Sequence, residues 1–205
     1  MQGIPHVVPR WMLADEPESN MPQPDTEWTI RRADAEDAEA VWQIVSHPEV
    51  HACTLQLPYT SLSRWQQRLA RADQRGDCFL AACAPGQTGD VLGLIGVHQV
   101  ADSPRVAHVR TLGIGVHPNY AGRGIGSALL RSAIDLADNW LNVTRLSLGV
   151  YSHNQRAIAL YERHGFVREG LSRGLAFGHG RYLDSIEMAR LHPRLERTLA
   201  EQRAE

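Results

Sequence analysis

Lysine is missing altogether from this chain of 205 residues; all 21 basic side chains are arginines. That absence excludes a P-loop, which needs GxxxxGK followed by Ser or Thr so that the lysine can reach a nucleotide's phosphates. Long apolar runs are missing too. None approaches the roughly 20 residues of a membrane span, and the first residues lack the basic-then-apolar order of a secretory signal. These absences predict a soluble cytoplasmic protein with no membrane partner. Cysteine is scarce: Cys53, Cys78 and Cys83 form no CxxC pair and are odd in number, which suits small buried side chains in a reducing compartment. Excess charge of either sign is lacking as well. A net charge of -2 offers no basic face for nucleic acid, so none is expected as a partner. Ten histidines are present, but the one HxxxH spacing is His47 to His51, with Pro48 where a zinc helix would carry glutamate. No metal site is expected.

What the chain does contain is organised for one core, since 43% hydrophobic residues over this length suit a single domain. Residues 1–26 hold Pro5, Pro9, Pro17, Pro22 and Pro24 with polar residues between, and read as a flexible N-terminal extension. From Glu27 the pattern turns regular. A strand around Trp28 to Arg31 leads through Asp34 into a helix whose apolar positions are Ala38, Val41, Trp42 and Val45. A second helix is expected from Ser61 to about Gly76. Strands are expected over 78–84, 91–100 and 106–116, with short turns that favour an antiparallel meander. A long amphipathic helix covers 124–140, followed by a strand over 145–151, a helix over 154–164, and two closing strands over 166–171 and 182–191. The domain thus spans 27–191, and a charged tail, 192–205, suits a short surface helix.

The chemistry concentrates where the strand ending Gly115-Val116-His117-Pro118 runs into Asn119-Tyr120-Ala121-Gly122-Arg123-Gly124-Ile125-Gly126 and the long helix. Glycines at 122, 124 and 126 allow close backbone approach to a ligand. The free amides of a first helical turn, with the helix dipole behind them, suit a pyrophosphate. A Rossmann fingerprint would sit early in a parallel βαβ unit, whereas antiparallel strands precede this turn. Further on, Asn154 is placed as a helix N-cap and Tyr161 lies seven residues later, two turns up the same face.

The segment from Gly113 to Trp140 resembles motif A of the GNAT acetyltransferases, with Ala121 at the position usually held by Arg or Gln. Val150 to Phe166 resembles motif B of the same family. The resemblance covers about residues 27–191 and implies an α+β fold: a mixed, mostly antiparallel sheet of six to seven strands flanked by about four helices. It implies acetyl-CoA as cosubstrate, with Gly115, Val116, Gly122, Arg123, Gly124, Ile125, Gly126 and Asn154 as its binding residues. Tyr161 becomes the general acid for the departing thiolate, and main-chain donors on the strand before Pro118 serve the thioester oxygen.

Where many members carry Glu or Asp as base, this chain has Thr111. His108, three residues earlier, is the candidate catalytic base on the strength of its ordinary pKa, with Asp184 and Glu187 as further polar contributors. His47-Pro48-Glu49-Val50, Thr54 to Pro58, Trp65 to Leu69, Asp138 to Leu141 and Tyr182 to Arg190 resemble a subgroup that includes bacterial L-amino acid N-acetyltransferases. A small-molecule amine, the α-amino group of a free amino acid, is then the implied acceptor. Leu55, Leu57 and Tyr59 are candidates for an apolar wall, and Arg64 or Arg110 for its carboxylate. Other amines (a protein N-terminus, a polyamine or an aminoglycoside), or a non-catalytic acyl-CoA sensor, are the alternatives. Family members often pair, so a homodimer is a further expectation.

Overall fold

A computed structural model describes residues 28–85 and 90–204. The expected extension over 1–26 lies outside the described residues, as does the middle of the turn after Pro85. The strands are β1 (Thr29–Arg32), β2 (Cys78–Cys83), β3 (Val91–Gln99), β4 (Val109–Val116), β5 (Arg145–Tyr151), β6 (Val167–Gly178) and β7 (Arg181–Leu191). The helices are α1 (Ala38–Ser46), α2 (Pro48–His51), α3 (Leu62–Ala70), α4 (Ile125–Asn139), α5 (Gln155–Arg163) and α6 (Pro193–Ala204). One seven-stranded sheet runs in the order β1-β2-β3-β4-β5-β7-β6.

Helices cover both faces, so β3 is buried without interruption from Val91 to Val97. Its residues divide between two cores, and a β-bulge opposite Ala82 and Cys83 interrupts the alternation so that Leu92 and Leu94 fall on opposite faces. Leu92, Ile95 and Val97 pack with Leu129, Leu130 and Ala133 of α4 and Ile158 of α5, while Val91 and Leu94 join Val41 and Ile44 of α1 and Trp65 and Leu69 of α3. Three forked ion pairs tie elements together: Arg31 donates to both oxygens of buried Asp37 at 2.7 and 2.6 Å, Arg190 on β7 to Asp138 on α4 at 2.9 and 2.8 Å, and Arg145 on β5 to Glu169 on β6 at 2.8 and 2.5 Å.

Every neighbouring pair of strands is antiparallel except β4 with β5, and that parallel pair uses α4 as its crossover. The pairing is short. Val109, Arg110 and Thr111 meet Arg145, Leu146 and Ser147, and beyond Thr111 the two strands part. On its other edge β4 stays paired with β3 through Val116. Leu112 to Val116 therefore have a sheet neighbour on one side and an open edge on the other, which is the feature that makes a site possible.

Three boundaries depart from the pattern in the sequence. The strand expected from Val106 starts at Val109, because Pro104–Val106 form a 3-10 turn. The second helix stops at Ala70; a separate 3-10 turn, Asp73–Arg75, then closes on Gly76 at φ 64°. The strand expected over 166–171 extends to Gly178 through irregular pairing with β7.

Candidate active site

The bond from His117 N–H to the Leu92 carbonyl, 2.8 Å, fixes the phase of β4, because His117 and Leu92 extend the register in which Val116 faces Gly93. Directly opposed residues in an antiparallel ladder alternate between exchanging hydrogen bonds and exchanging none. Gly115 and Gly113 thus direct their amides and carbonyls toward β3, whereas Leu112, Ile114 and Val116 direct theirs toward the gap left by β5. This divides the expected pair: Val116 offers main-chain groups to the cleft together with Ile114, and Gly115 contributes a surface without a side chain. A Cβ on Gly115 would stand 3.5 Å from Val50, at ordinary contact distance.

One cavity runs from this edge over the glycine turn to α5, lined by Ile114 to Val116, Tyr120 to Gly122, Gly124 to Ser127, Asn154, Ala157 and Tyr161. Gly122 and Gly124 lie at φ 85° and 86°, in the left-handed region that a side chain makes costly. A Cβ on Gly122 would meet nothing within 4 Å, so the turn faces open space. Gly124 is the N-cap of α4, and the unpaired amides of the first turn converge there. These features fit a pyrophosphate. Arg123 stacks on Tyr120 at 5.3 Å and is absent from the lining; Arg156 and Arg163 of α5 line the cavity instead. Neither had a distinguishing sequence signal among so many arginines.

Asn154 caps α5, its Oδ1 accepting from Ala157 N–H at 3.1 Å. Its side-chain NH2 is the part left for a ligand. Tyr161, buried on the same helix, packs on Phe166 at 5.8 Å between ring centres. Burial pushes its phenol up to about 12, so the hydroxyl keeps its proton throughout the neutral range.

A second cavity opens on the other side of the strand gap, lined by Cys53, Leu55, Trp65, Arg68, Phe79, His98, Thr111, Gly149, Tyr161 and Ser185 among others. The two cavities share Val50, Cys53, Thr54, Ile114, Gly115, Gly149 and Tyr161. Tyr151 of β5 donates to the Thr54 carbonyl at 3.0 Å, holding the loop after α2 over the junction. Gly149 keeps that junction open, since a Cβ there would lie 2.9 Å from Ser185 Oγ.

The structure does not bring His108 to this place. It is exposed in the turn before β4 and lines neither cavity, and its carbonyl accepts from Thr144 and Arg145 at the start of the parallel pair. The histidine that does line the second cavity is His98, paired with Thr111 across the β3–β4 ladder. Leu55, Leu57 and Tyr59 are all exposed, and of this expected apolar wall Leu55 alone lines the cavity. Arg64 and Arg110 do not line it; Arg68 does. Asp184 is engaged by Gly174 N–H at 2.8 Å, and Glu187 lies beside Gly149, with neither lining a cavity.

Burial, reinforced by the charge of Arg68, holds the His98 imidazole below its ordinary 6.5; Asp77 opposes this and Arg75 adds to it. The unfolded chain therefore takes up a proton near its ordinary pKa that the folded chain resists until lower pH. The linked stability is present above about pH 6.5 and lost as pH falls through the lower folded value. Thermal unfolding from pH 7.5 to pH 5 is expected to show a decline that is shallower in His98→Gln; equal slopes would contradict the burial argument.

Residues 26–166 match the Acetyltransferase (GNAT) family. The chain is 42% identical over 166 residues to the L-amino acid N-acetyltransferase AaaT of Escherichia coli, covering 81% of this chain and 99% of the relative. It is 26% identical over 161 residues to an E. coli spermidine N(1)-acetyltransferase, covering 78% and 83%. Its fold matches that of a GNAT superfamily phosphinothricin acetyltransferase from Sinorhizobium meliloti in complex with AcCoA, at a TM-score of 0.73, 23% identity, and coverage of 81% and 89%. The parted strands, the glycine turn on a helix N-terminus and these matches place the chain in the GNAT family of acetyl-CoA-dependent N-acetyltransferases.

Proposed function

We propose that the chain acetylates the α-amino group of a free L-amino acid with an apolar side chain. The observation that carries this is the acceptor cavity, where Leu55, Trp65, Phe79 and Leu94 form apolar walls around a single half-buried guanidinium. The 42% identity to an L-amino acid N-acetyltransferase agrees with it. A polyamine acceptor calls instead for carboxylates, and among the described residues no Asp or Glu lines this cavity.

Acetyl-CoA supplies the activated acyl group, and the chain's own residues orient it and manage protons. The amides of Gly124, Ile125 and Gly126 are proposed to hold the pyrophosphate, with the Asn154 side-chain NH2 beside them. Val116 and Ile114 then offer main-chain groups to the pantetheine arm and the thioester oxygen. The amine attacks through the junction at Gly149, and its surplus proton passes to water. The α-amino group of a free amino acid is more basic than a chain N-terminus, which titrates near roughly 8, because its own carboxylate favours the ammonium form. The small neutral fraction at about pH 7 to 8 is the species that attacks, so Thr111 in the place of a carboxylate is compatible with turnover. Tyr161 donates its proton to the sulfur as the C–S bond breaks and takes one back from water afterwards.

A panel of amines followed by release of the CoA thiol tests this. L-phenylalanine and L-methionine are expected to give kcat/KM at least about tenfold above spermidine, an aminoglycoside or a peptide N-terminus, in line with one charge-assisted contact. Preference for spermidine would reverse the assignment, and acetyl-CoA binding without turnover on any amine would favour a sensor.

A further inference from the structure

We infer that Arg68 receives the α-carboxylate of the acceptor and that His98 holds it in position. This rests on the reading of the acceptor as a free amino acid. Arg68 projects from α3 into the acceptor cavity, with its guanidinium carbon 4.8 Å from the Trp65 ring centre and 5.3 Å from that of Phe79. Its Nη2 lies 3.3 Å from His98 Nε2. Arginine can only donate, so Nε2 is the acceptor and the imidazole carries its proton on Nδ1. That nitrogen stands 3.3 Å from Asp77 Oδ2, within ion-pair distance though poorly aligned for a hydrogen bond.

The contrast with other arginines decides what this arrangement is for. Arg31, Arg32, Arg145, Arg168 and Arg190 each meet a carboxylate. Arg68 is withdrawn from water between two aromatic rings, yet among the described residues its one hydrogen-bond partner is a neutral imidazole. Asp77, the carboxylate that acts on it, lies on the far side of His98 and also faces Arg75. A half-buried guanidinium with no carboxylate in direct contact has donors left to satisfy, and its five-donor fork suits a bidentate carboxylate. The nearby Trp65 indole N–H is likewise buried without a partner. Room for the contact comes from Gly96, where a Cβ would fall 2.4 Å from His98 Nε2.

His98 is therefore a positioning residue. With its Nε2 lone pair occupied by Arg68, it is not available as the base.

The test compares L-phenylalanine with L-phenylalaninamide, which has the same amine and side chain but no carboxylate. In Arg68→Gln the ratio of kcat/KM for the acid over the amide is expected to fall about 10- to 100-fold, mainly through KM for the acid. Calorimetric affinity for acetyl-CoA should be unchanged, showing an intact fold. Arg68→Lys, which keeps a point charge without the fork, should recover part of the ratio. His98→Gln should raise KM for the acid while sparing kcat and the amide's KM. Equal losses on acid and amide, or no loss in Arg68→Gln, would overturn the assignment while leaving the amino-acid reading in place. Wild-type protein that turns over no amino acid would overturn both.

Discussion

Gly124→Glu is expected to abolish usable acetyl-CoA binding, weakening it about 100-fold or more while the domain stays folded. Gly124 is the N-cap of α4 at φ 86°, and the nearest atoms to a Cβ there belong to Trp28 at 3.9 Å. The site thus has space for a side chain but a backbone that disfavours one. Two effects must be separated. Any L side chain at this φ costs about 1 to 2 kcal/mol, and Gly124→Ala isolates that term. Glutamate adds a carboxylate where the first-turn amides and the helix dipole would receive a pyrophosphate, and like charges that close cost several kcal/mol. Calorimetric titration with acetyl-CoA should therefore rank wild type above Gly124→Ala, and Gly124→Ala far above Gly124→Glu. Equal affinities for the two variants would leave strain as the whole effect and remove the anion cradle. Thermal melts of the apo proteins should differ little between the variants, because the added carboxylate at a helix N-terminus is mildly favourable to the helix itself.

This turn was legible in the sequence because its geometry leaves a residue-type trace: positive φ at 122 and 124 asks for glycine. Asn154 was legible for a similar reason, since an N-cap needs a short side-chain acceptor. The acceptor side left no such trace. Arg68 and His98 are 30 residues apart, on α3 and β3, and meet through tertiary packing that no local period encodes. Arg64 sits one helical turn from Arg68 and has the same composition signal, yet it lines neither cavity. His108 was misplaced by a strand boundary: Pro104 opens a 3-10 turn that removes three residues from the apolar run beginning at Val106.

The parting of β4 and β5 was hidden as well. Both strands continue with strand-like residues after Thr111 and Ser147, and their pairing stops for reasons of register and packing. Likewise β6 outlasts its apolar signal. From Ser172 to Gly178 it carries mainly small or polar residues, and it persists because β7 supplies the ladder. The glycine-turn side of the site was thus readable from local conformational demands, and the second cavity required the fold.

Tyr161→Phe is expected to lower kcat about 100-fold or more, the range for losing one positioned proton donor, with acetyl-CoA affinity nearly unchanged. The substitution deletes one oxygen and keeps the ring against Phe166, so packing loss is minor. The hydroxyl is the group at issue. Tyr161 lines both cavities at their junction, and burial raises its phenol to about 12. A phenol so weakly acidic is a poor donor to a sulfur in water. Yet the same dry surroundings disfavour a free thiolate, so a hydrogen bond gained as negative charge develops there is worth more than one gained in solvent. The raised pKa also has a sign: a protonated donor is active below its pKa, so wild-type kcat should show no loss assignable to Tyr161 until pH approaches 12. Single-turnover measurements with bound acetyl-CoA isolate the chemical step from product release. Unchanged single-turnover rates in Tyr161→Phe would reduce this residue to packing, and the thiolate would then have to take its proton from water entering at the junction.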